Sequence, residues 1–310
     1  MRLLFDDELI ESVVFLCALG KGPGLPPLQV RRFHRERERA YSVLDPDERN
    51  AAFSRVHAAW FHEWGLDQCL ARVIAGFPLL DQSLQAMVFR KARNKSEEAA
   101  DLYVNANGEN HGIVALHSER FANEVSLRAF LNHELMHVSD MVDPAFGYSR
   151  DVSQFGETAS KKRLVQERYR LLWDVTIDGR LTRLERATVA SLERRRDEFE
   201  RAYSFLDADR RRALFESLWI GPSPQHQALL DVARDPRGLT GSRAQAPGAP
   251  CPLCGFAAFA WVEGSALKPH TVSAIKKEFP SWTIEESVCH RCVEIYEAPS
   301  GLELPATICL

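Results

Sequence analysis

The chain of 310 residues has no marked excess of charge of either sign: 39 Lys and Arg stand against 43 Asp and Glu, a formal net charge of -4. That balance excludes a global attraction to nucleic acid or to an anionic membrane, so either partner would need a local basic patch. Long apolar runs are also missing. No stretch reaches the roughly 18 apolar residues that would suggest a membrane span. A short apolar run at 13–19 follows Asp6, Asp7, Glu8 and Glu11, where a secretory signal would carry positive charge. Residues 1–20 are therefore read as a buried helix, and the cytoplasm is the expected compartment. Structural disulfides are not expected there. Of the seven cysteines, Cys17, Cys69 and Cys309 stand alone and read as small buried apolar residues; the other four form two CxxC pairs.

What is present is the composition of an ordinary globular protein, 45% hydrophobic and 26% charged, with length for one large domain and a small one. Residues 28–75 read as helices, with Asp45 as an N-cap and Pro46 in the first helical position before Phe53, Val56 and Trp60. Short strands are expected at 87–89, 102–104 and 113–116, the last two joined by a hairpin at Asn107 and Gly108. A helix over 126–141, a turn at Asp143 and Pro144, and a long helical region over 160–205 interrupted near Gly179 follow. Residues 236–250 are rich in Gly, Pro and Ala and read as a linker. Residues 36–53, ERERAYSVLDPDERNAAF, match 198–215, EFERAYSFLDADRRRALF, at a constant offset. Neither copy carries a catalytic constellation, so the echo reads as a repeated scaffold corner; the functional alternative is a pair of docking surfaces.

The segment LNHELMHVSDM places His133 and His137 four residues apart, on one face of a helix, with Glu134 beside them. Two neutral imidazoles can share a zinc ion, which lowers the pKa of a bound water toward ~7, and a neighbouring carboxylate can take the proton as that water attacks a carbonyl. Leu127, Phe130, Leu131, Leu135 and Val138 surround the motif, so its polar groups are buried and need partners. A bland surface helix with two histidines does not fit that setting.

The stretch HELMHVSD resembles the zincin metallopeptidases, and the thermolysin-like gluzincins in particular. The resemblance covers the sheet, the motif helix and the helix after it. It implies an edge strand above the cleft that pairs with an extended peptide, for which 113–116 is the best candidate. It also implies a third metal ligand on a later helix, where gluzincins carry Glu-xxx-Asp. Here WDVTIDGRL supplies Asp174-xxx-Asp178, with Asp in the ligand position and Asp178 expected to hydrogen-bond a metal-bound histidine. Two acids at i, i+4 among Leu171, Leu172, Trp173, Val175 and Ile177 call for cations or donors. The bland alternative is that one faces solvent and the other pairs with Arg180 or another arginine. Asp143 stands where HExxHxxGxxD enzymes place an acidic ligand, but Asp140 occupies the glycine position of that pattern and no methionine follows Met141. Asp143 before Pro144 reads as a turn residue. Glu157 and Glu167 remain rivals for the third ligand, and Tyr148 or His111 is a candidate for stabilising an oxyanion.

CPLCG at 251–255 and CHRC at 289–292 are two metal knuckles, in which Cys251, Cys254, Cys289 and Cys292 offer four thiolates. They resemble a zinc ribbon, and less closely a rubredoxin, which leaves iron as the minor alternative. Phe256, Phe259, Trp261, Phe279 and Trp282 supply apolar cover. His290 reads as solvent-facing rather than as a ligand. Lys268, Lys276, Lys277 and Arg291 face seven glutamates, at 263, 278, 285, 286, 294, 297 and 303, which disfavours phosphate binding and makes the ribbon a protein-docking or structural module.

The expected fold is α+β: a mostly helical zincin-like domain over 1–235 with a small sheet beside the HExxH helix, the linker, and a small zinc ribbon over 251–310. The expected activity is that of a zinc-dependent hydrolase, a peptidase, with His133, His137 and Asp174 on a catalytic zinc, Glu134 as general base and a second, structural zinc on the four cysteines. The expected partners are a peptide or protein substrate and a protein docked through the ribbon, with no membrane and no nucleic acid. Two alternatives stay open. One is a catalytically silent zincin scaffold that binds a partner. The other is a SprT-like DNA-associated protease, a pattern that uses a third histidine, whereas no histidine lies between His137 and His226.

Overall fold

The computed structural model of the chain describes residues 1–236 and 248–297, and it divides into two compact units, Met1–Ala233 and Arg234–Leu310. The linker expected at 236–250 falls mostly on residues outside the described ones, as does Cys309. The architecture is α+β, mostly helical with small sheets. Among the described residues no helix is long and apolar enough to cross a membrane.

The first unit opens with a strand, β1 (Arg2–Phe5), and only then α1 (Asp7–Ala18). The single helix expected over 1–20 is thus corrected: RLLF pairs in parallel with a later strand, and the acids Asp7 and Glu8 lie in the first turn of α1, where the helix dipole favours them. Leu9, Ile10, Val13, Val14 and Cys17 bury one face of α1. Helices α2 (Pro27–Ala40), α3 (Pro46–Glu63), α4 (Leu66–Ile74) and α5 (Pro78–Ser83) follow. Asp45 caps α3 by accepting from the backbone N–H of Asp47 and Glu48, with Pro46 in the first turn.

Next come β2 (Ala86–Lys91), β3 (Ala99–Val104) and β4 (Asn110–Leu116), the last two joined as the expected hairpin. The sheet order is β1-β2-β4-β3, parallel except for the β3–β4 pair. The edge beside the candidate site is therefore β3, and 113–116, expected at the edge, lies in β4 with partners on both sides. A hairpin signal names neighbours but not which of them finds a third strand.

Helix α6 (Glu124–Val142) carries the HExxH segment and packs on β3. Asn123 caps it through Ser126 N–H, and Leu131, Leu135 and Val138 are fully buried. The chain entering β3 is tied to the chain entering α6 by Glu98, whose carboxylate accepts two bonds of 2.7 Å from Arg120; that guanidinium lies 4.3 Å over the Phe130 ring.

Helix α7 (Ala159–Arg183) runs unbroken through Gly179, which corrects the interruption expected there. The glycine marks a close approach instead: a Cβ on it would run into the backbone of Trp219. The helical run breaks later, at 184–191, before α8 (Leu192–Ala202), α9 (Ala208–Ile220) and α10 (His226–Arg234). Asp207 caps α9 as Asp45 caps α3, so the two echoing segments form the same helix-cap-helix corner.

The second unit holds two short antiparallel ladders, β5 (Ala249–Pro250) with β6 (Ala257–Ala258) and β7 (Trp261–Val262) with β8 (Val288–Cys289), plus α11 (Pro269–Glu278) and α12 (His290–Glu297). Trp282, Ile275 and Val288 make its core together with cysteines. Phe256 and Phe259, expected to cover the ribbon, are instead 71% and 78% exposed.

Candidate metal centres

Four residues per turn-and-a-bit of helix put His133 and His137 on one face of α6, and α7 lies across that face. His133 Nε2 and His137 Nε2 lie 3.4 and 3.0 Å from the same atom, Asp174 Oδ1. One ligand atom from each of these three residues falls within 4.8 Å of the others. One turn along α7, Asp178 Oδ1 is 3.0 Å from His133 Nδ1. A carboxylate only accepts, so Nδ1 carries a proton, and in the neutral ring Nε2 turns its lone pair toward Asp174. A lone pair facing a carboxylate oxygen needs a cation between them, a proton or a metal ion, and the donor set of two imidazoles and one carboxylate could hold a metal. Burial works against charge on His133, but hydrogen bonds and attraction from Asp174 and Asp178 outweigh it and raise its pKa to about 9. Burial likewise opposes the Asp174 charge, and the two histidines overcome it and hold that carboxyl well below its usual range.

Glu134 is not among the three converging groups. Its side chain is buried, and Oε2 accepts a 2.8 Å bond from Ala100 N–H on β3. Glu134 and His137 open onto a cleft of about 340 Å³ that Ala100, Met141, Tyr169 and Trp173 also line. The outer edge of β3 is occupied further along: Arg150 donates to Leu102 C=O at 3.0 Å, and Asp101 Oδ1 accepts from Leu102 N–H.

The rivals for the third ligand lie elsewhere. Asp143 ends α6 and accepts from Ala145 N–H, as a turn residue does, while Glu157 and Glu167 are exposed. Neither candidate for an oxyanion donor lines the cleft. Tyr148 packs on the Trp173 ring, 5.9 Å between centroids, and His111 sits in the hairpin 3.2 Å from Asn105 Nδ2. Tyr169 does line the cleft, with its hydroxyl 2.6 Å from His226 Nδ1.

Two further residues shape the site and escaped sequence reasoning. Asp140, noticed only as a misfit to a glycine position, accepts from Trp173 Nε1 at 2.7 Å and from both terminal nitrogens of Arg180 at 2.8 and 2.5 Å. It thereby fixes Trp173, whose ring stands edge-on to His137 at 4.4 Å. Arg195 on α8 donates twice to Asp178 Oδ2, at 2.9 and 2.6 Å. Asp178 thus meets a histidine and an arginine at once, where the alternatives from sequence had been one or the other. The residue types were visible, but nothing in their spacing linked α8 to α7.

In the second unit the four cysteine sulfurs also cluster within 4.8 Å. Cys251 to Cys292 is 3.9 Å and Cys254 to Cys289 is 3.8 Å. Those separations exclude disulfides, whose S–S bond is about 2.05 Å, and match the ~3.8 Å edge of a tetrahedron with metal–sulfur bonds of ~2.3 Å. Burial raises the Cys251 thiol, but backbone N–H donors from Cys254, Cys289 and Leu253 outweigh it and bring the pKa to about 7. Gly255, at φ +74°, supplies the left-handed turn of the first knuckle. His290 is 63% exposed and lies 3.3 Å from Glu294, outside the sulfur cluster. Compared with protein-family models, with curated proteins and with solved structures, the chain finds no match in any of the three.

Proposed function

We propose that the chain is a zinc-dependent hydrolase acting on peptides, with a catalytic zinc on His133, His137 and Asp174 and a structural zinc on Cys251, Cys254, Cys289 and Cys292. The observation that carries this reading is the convergence of both Nε2 atoms on Asp174 Oδ1 beside a buried glutamate that is not part of the trio. Zinc bound there would polarise a carbonyl and make a water nucleophilic near neutral pH. The protein residues supply the rest. Ala100 N–H holds one oxygen of Glu134 and leaves Oε1 to accept a proton in the cleft. Asp178 fixes the tautomer and plane of His133, and Trp173 braces the ring of His137. The strand β3 lines the cleft through Ala99, Ala100 and Asp101, and an extended peptide would pair with it by displacing the side chains that hold its outer edge. The apolar surface of Phe256, Phe259 and Ile295 on an acidic ribbon supports protein docking rather than phosphate binding.

A peptide-library cleavage assay with zinc-loaded protein tests the reading. Glu134→Gln is expected to keep its zinc and lose cleavage. A variant that still processes the identified substrate at the parental rate would overturn the role of Glu134.

A further inference from the structure

We propose that Arg195 is a positioning residue for the His133, His137 and Asp174 site: its guanidinium presses Asp178 onto His133 and turns Asp174 so that a single carboxylate oxygen faces the two imidazoles. The inference rests on the metal reading given above. Arg195 is 6% exposed. Its Nε and Nη2 both donate to Asp178 Oδ2, while Asp178 Oδ1 is 3.0 Å from His133 Nδ1. Its Nη1 lies 3.6 Å from Asp174 Oδ2, while Asp174 Oδ1 faces His133 and His137. Each aspartate therefore divides its oxygens the same way, one to a histidine and one to Arg195. Glu198 Oε2 accepts from the same Nη1 at 2.9 Å.

The repeated corner shows that packing alone does not ask for an arginine here. Arg32 pairs with Glu36 at 3.0 Å in the first corner, and Arg194 pairs with Glu198 at 3.1 Å in the second. The residue after each arginine is buried: Phe33, fully, in one and Arg195, nearly so, in the other. A guanidinium in an aromatic's place loses its hydration and is tolerated only with paired charge. The charge it finds is the pair of acids that serves the metal cluster. A planar fork suits the task because it can contact both carboxylates at fixed angles, which an ammonium cannot do. It also allows the short Asp174 to present one oxygen to the site without swinging the other in beside it.

The test uses the full chain, with the ribbon intact, and measures zinc affinity by chelator competition and the visible spectrum after cobalt substitution. His133→Ala serves as the blank for the ribbon's own metal. Arg195→Met is expected to weaken metal binding at this site by about 10 to 100-fold and to shift the cobalt bands, with Arg195→Lys falling between it and the parent. A role confined to packing would lower the melting temperature and leave both readouts unchanged. Parental affinity and spectrum in folded Arg195→Met overturn the proposal. If that variant does not fold, the same result in Arg195→Lys overturns it. A parent whose metal content equals that of His133→Ala removes the metal reading itself, which separates that failure from a failure of Arg195.

Discussion

Replacing Gly179 with alanine sets two effects against each other with opposite signs. In the middle of a helix, Gly→Ala favours folding by about 1 kcal/mol, because alanine loses less backbone entropy. At this position the added methyl would overlap the main chain of Trp219, touching its carbonyl oxygen, Cα and carbonyl carbon. No side chain can rotate away, so α9 must move. Arg183 is bonded to the carbonyls of Trp219 and Gly221, the latter at 3.1 Å, and these bonds resist the movement. Overpacking of this kind costs roughly 1 to 3 kcal/mol and sometimes more, and a strained hydrogen bond adds about 1 kcal/mol. The expected net is destabilisation of about 1 to 3 kcal/mol, a fall of about 2 to 4 °C in melting temperature for each kcal/mol in a domain of this size. Differential scanning calorimetry of the two proteins at one metal concentration measures it. An unchanged or higher melting temperature for Gly179→Ala would refute the close-approach argument and restore Gly179 as an ordinary helix residue.

The metal ligands separate in a parallel set of variants. Purified parent is expected to hold about two zinc per chain, Asp174→Ala to lose the catalytic one and keep the ribbon's, and Asp143→Ala to keep both by elemental analysis. Asp178→Ala is expected to weaken the catalytic site more mildly, by about 10 to 100-fold in affinity. Emptying by Asp143→Ala with a full site in Asp174→Ala would reverse the assignment. Glu98 gives a pH prediction. Burial opposes its charge, but Arg120 and the His117 N–H outweigh burial and hold its pKa below the ordinary value. A depressed carboxyl adds stability that is present above the unfolded pKa of ~4.3 and lost as pH falls through the folded one. Melting temperature followed downward from pH 6 should therefore drop less steeply in Glu98→Gln than in the parent, and identical slopes would count against the clamp.

The parts of the fold and site that were legible in sequence are those whose physics is local. The HExxH histidines and the CxxC pairs were legible because a helix or a knuckle brings residues a few positions apart to one place, and the structure gathers His133 with His137 and the four cysteines with one another. Asp45 and Pro46 announce a helix start by chemistry within four residues. Asp174 and Asp178 were legible as a pair through their helical spacing, while the partner of each depended on which helix crossed α7. What failed was non-local. The run at Arg2–Phe5 is too short to declare itself a strand until β2 is beside it. The identity of the edge strand follows from the order of the sheet rather than from the hairpin within it. Gly179 looked like a break because a glycine that lets another backbone approach reads the same as one that ends a helix. Arg195 lay in a run of three arginines, with no mark to show which of them turned inward.

The side chains along β3 have a bearing on colloidal behaviour. A bare strand edge invites pairing with any other chain in solution, and proteins commonly blunt such edges with charge. Here Glu134 takes the Ala100 N–H, Arg150 takes the Leu102 carbonyl, and Asp101 takes the Leu102 N–H. A stray strand arriving at these three groups finds them already bonded to charged side chains and must exchange one bond for another. An extended chain laid along β3 therefore gains little net hydrogen bonding there, which favours a protein that stays dispersed at high concentration with an open groove on its surface.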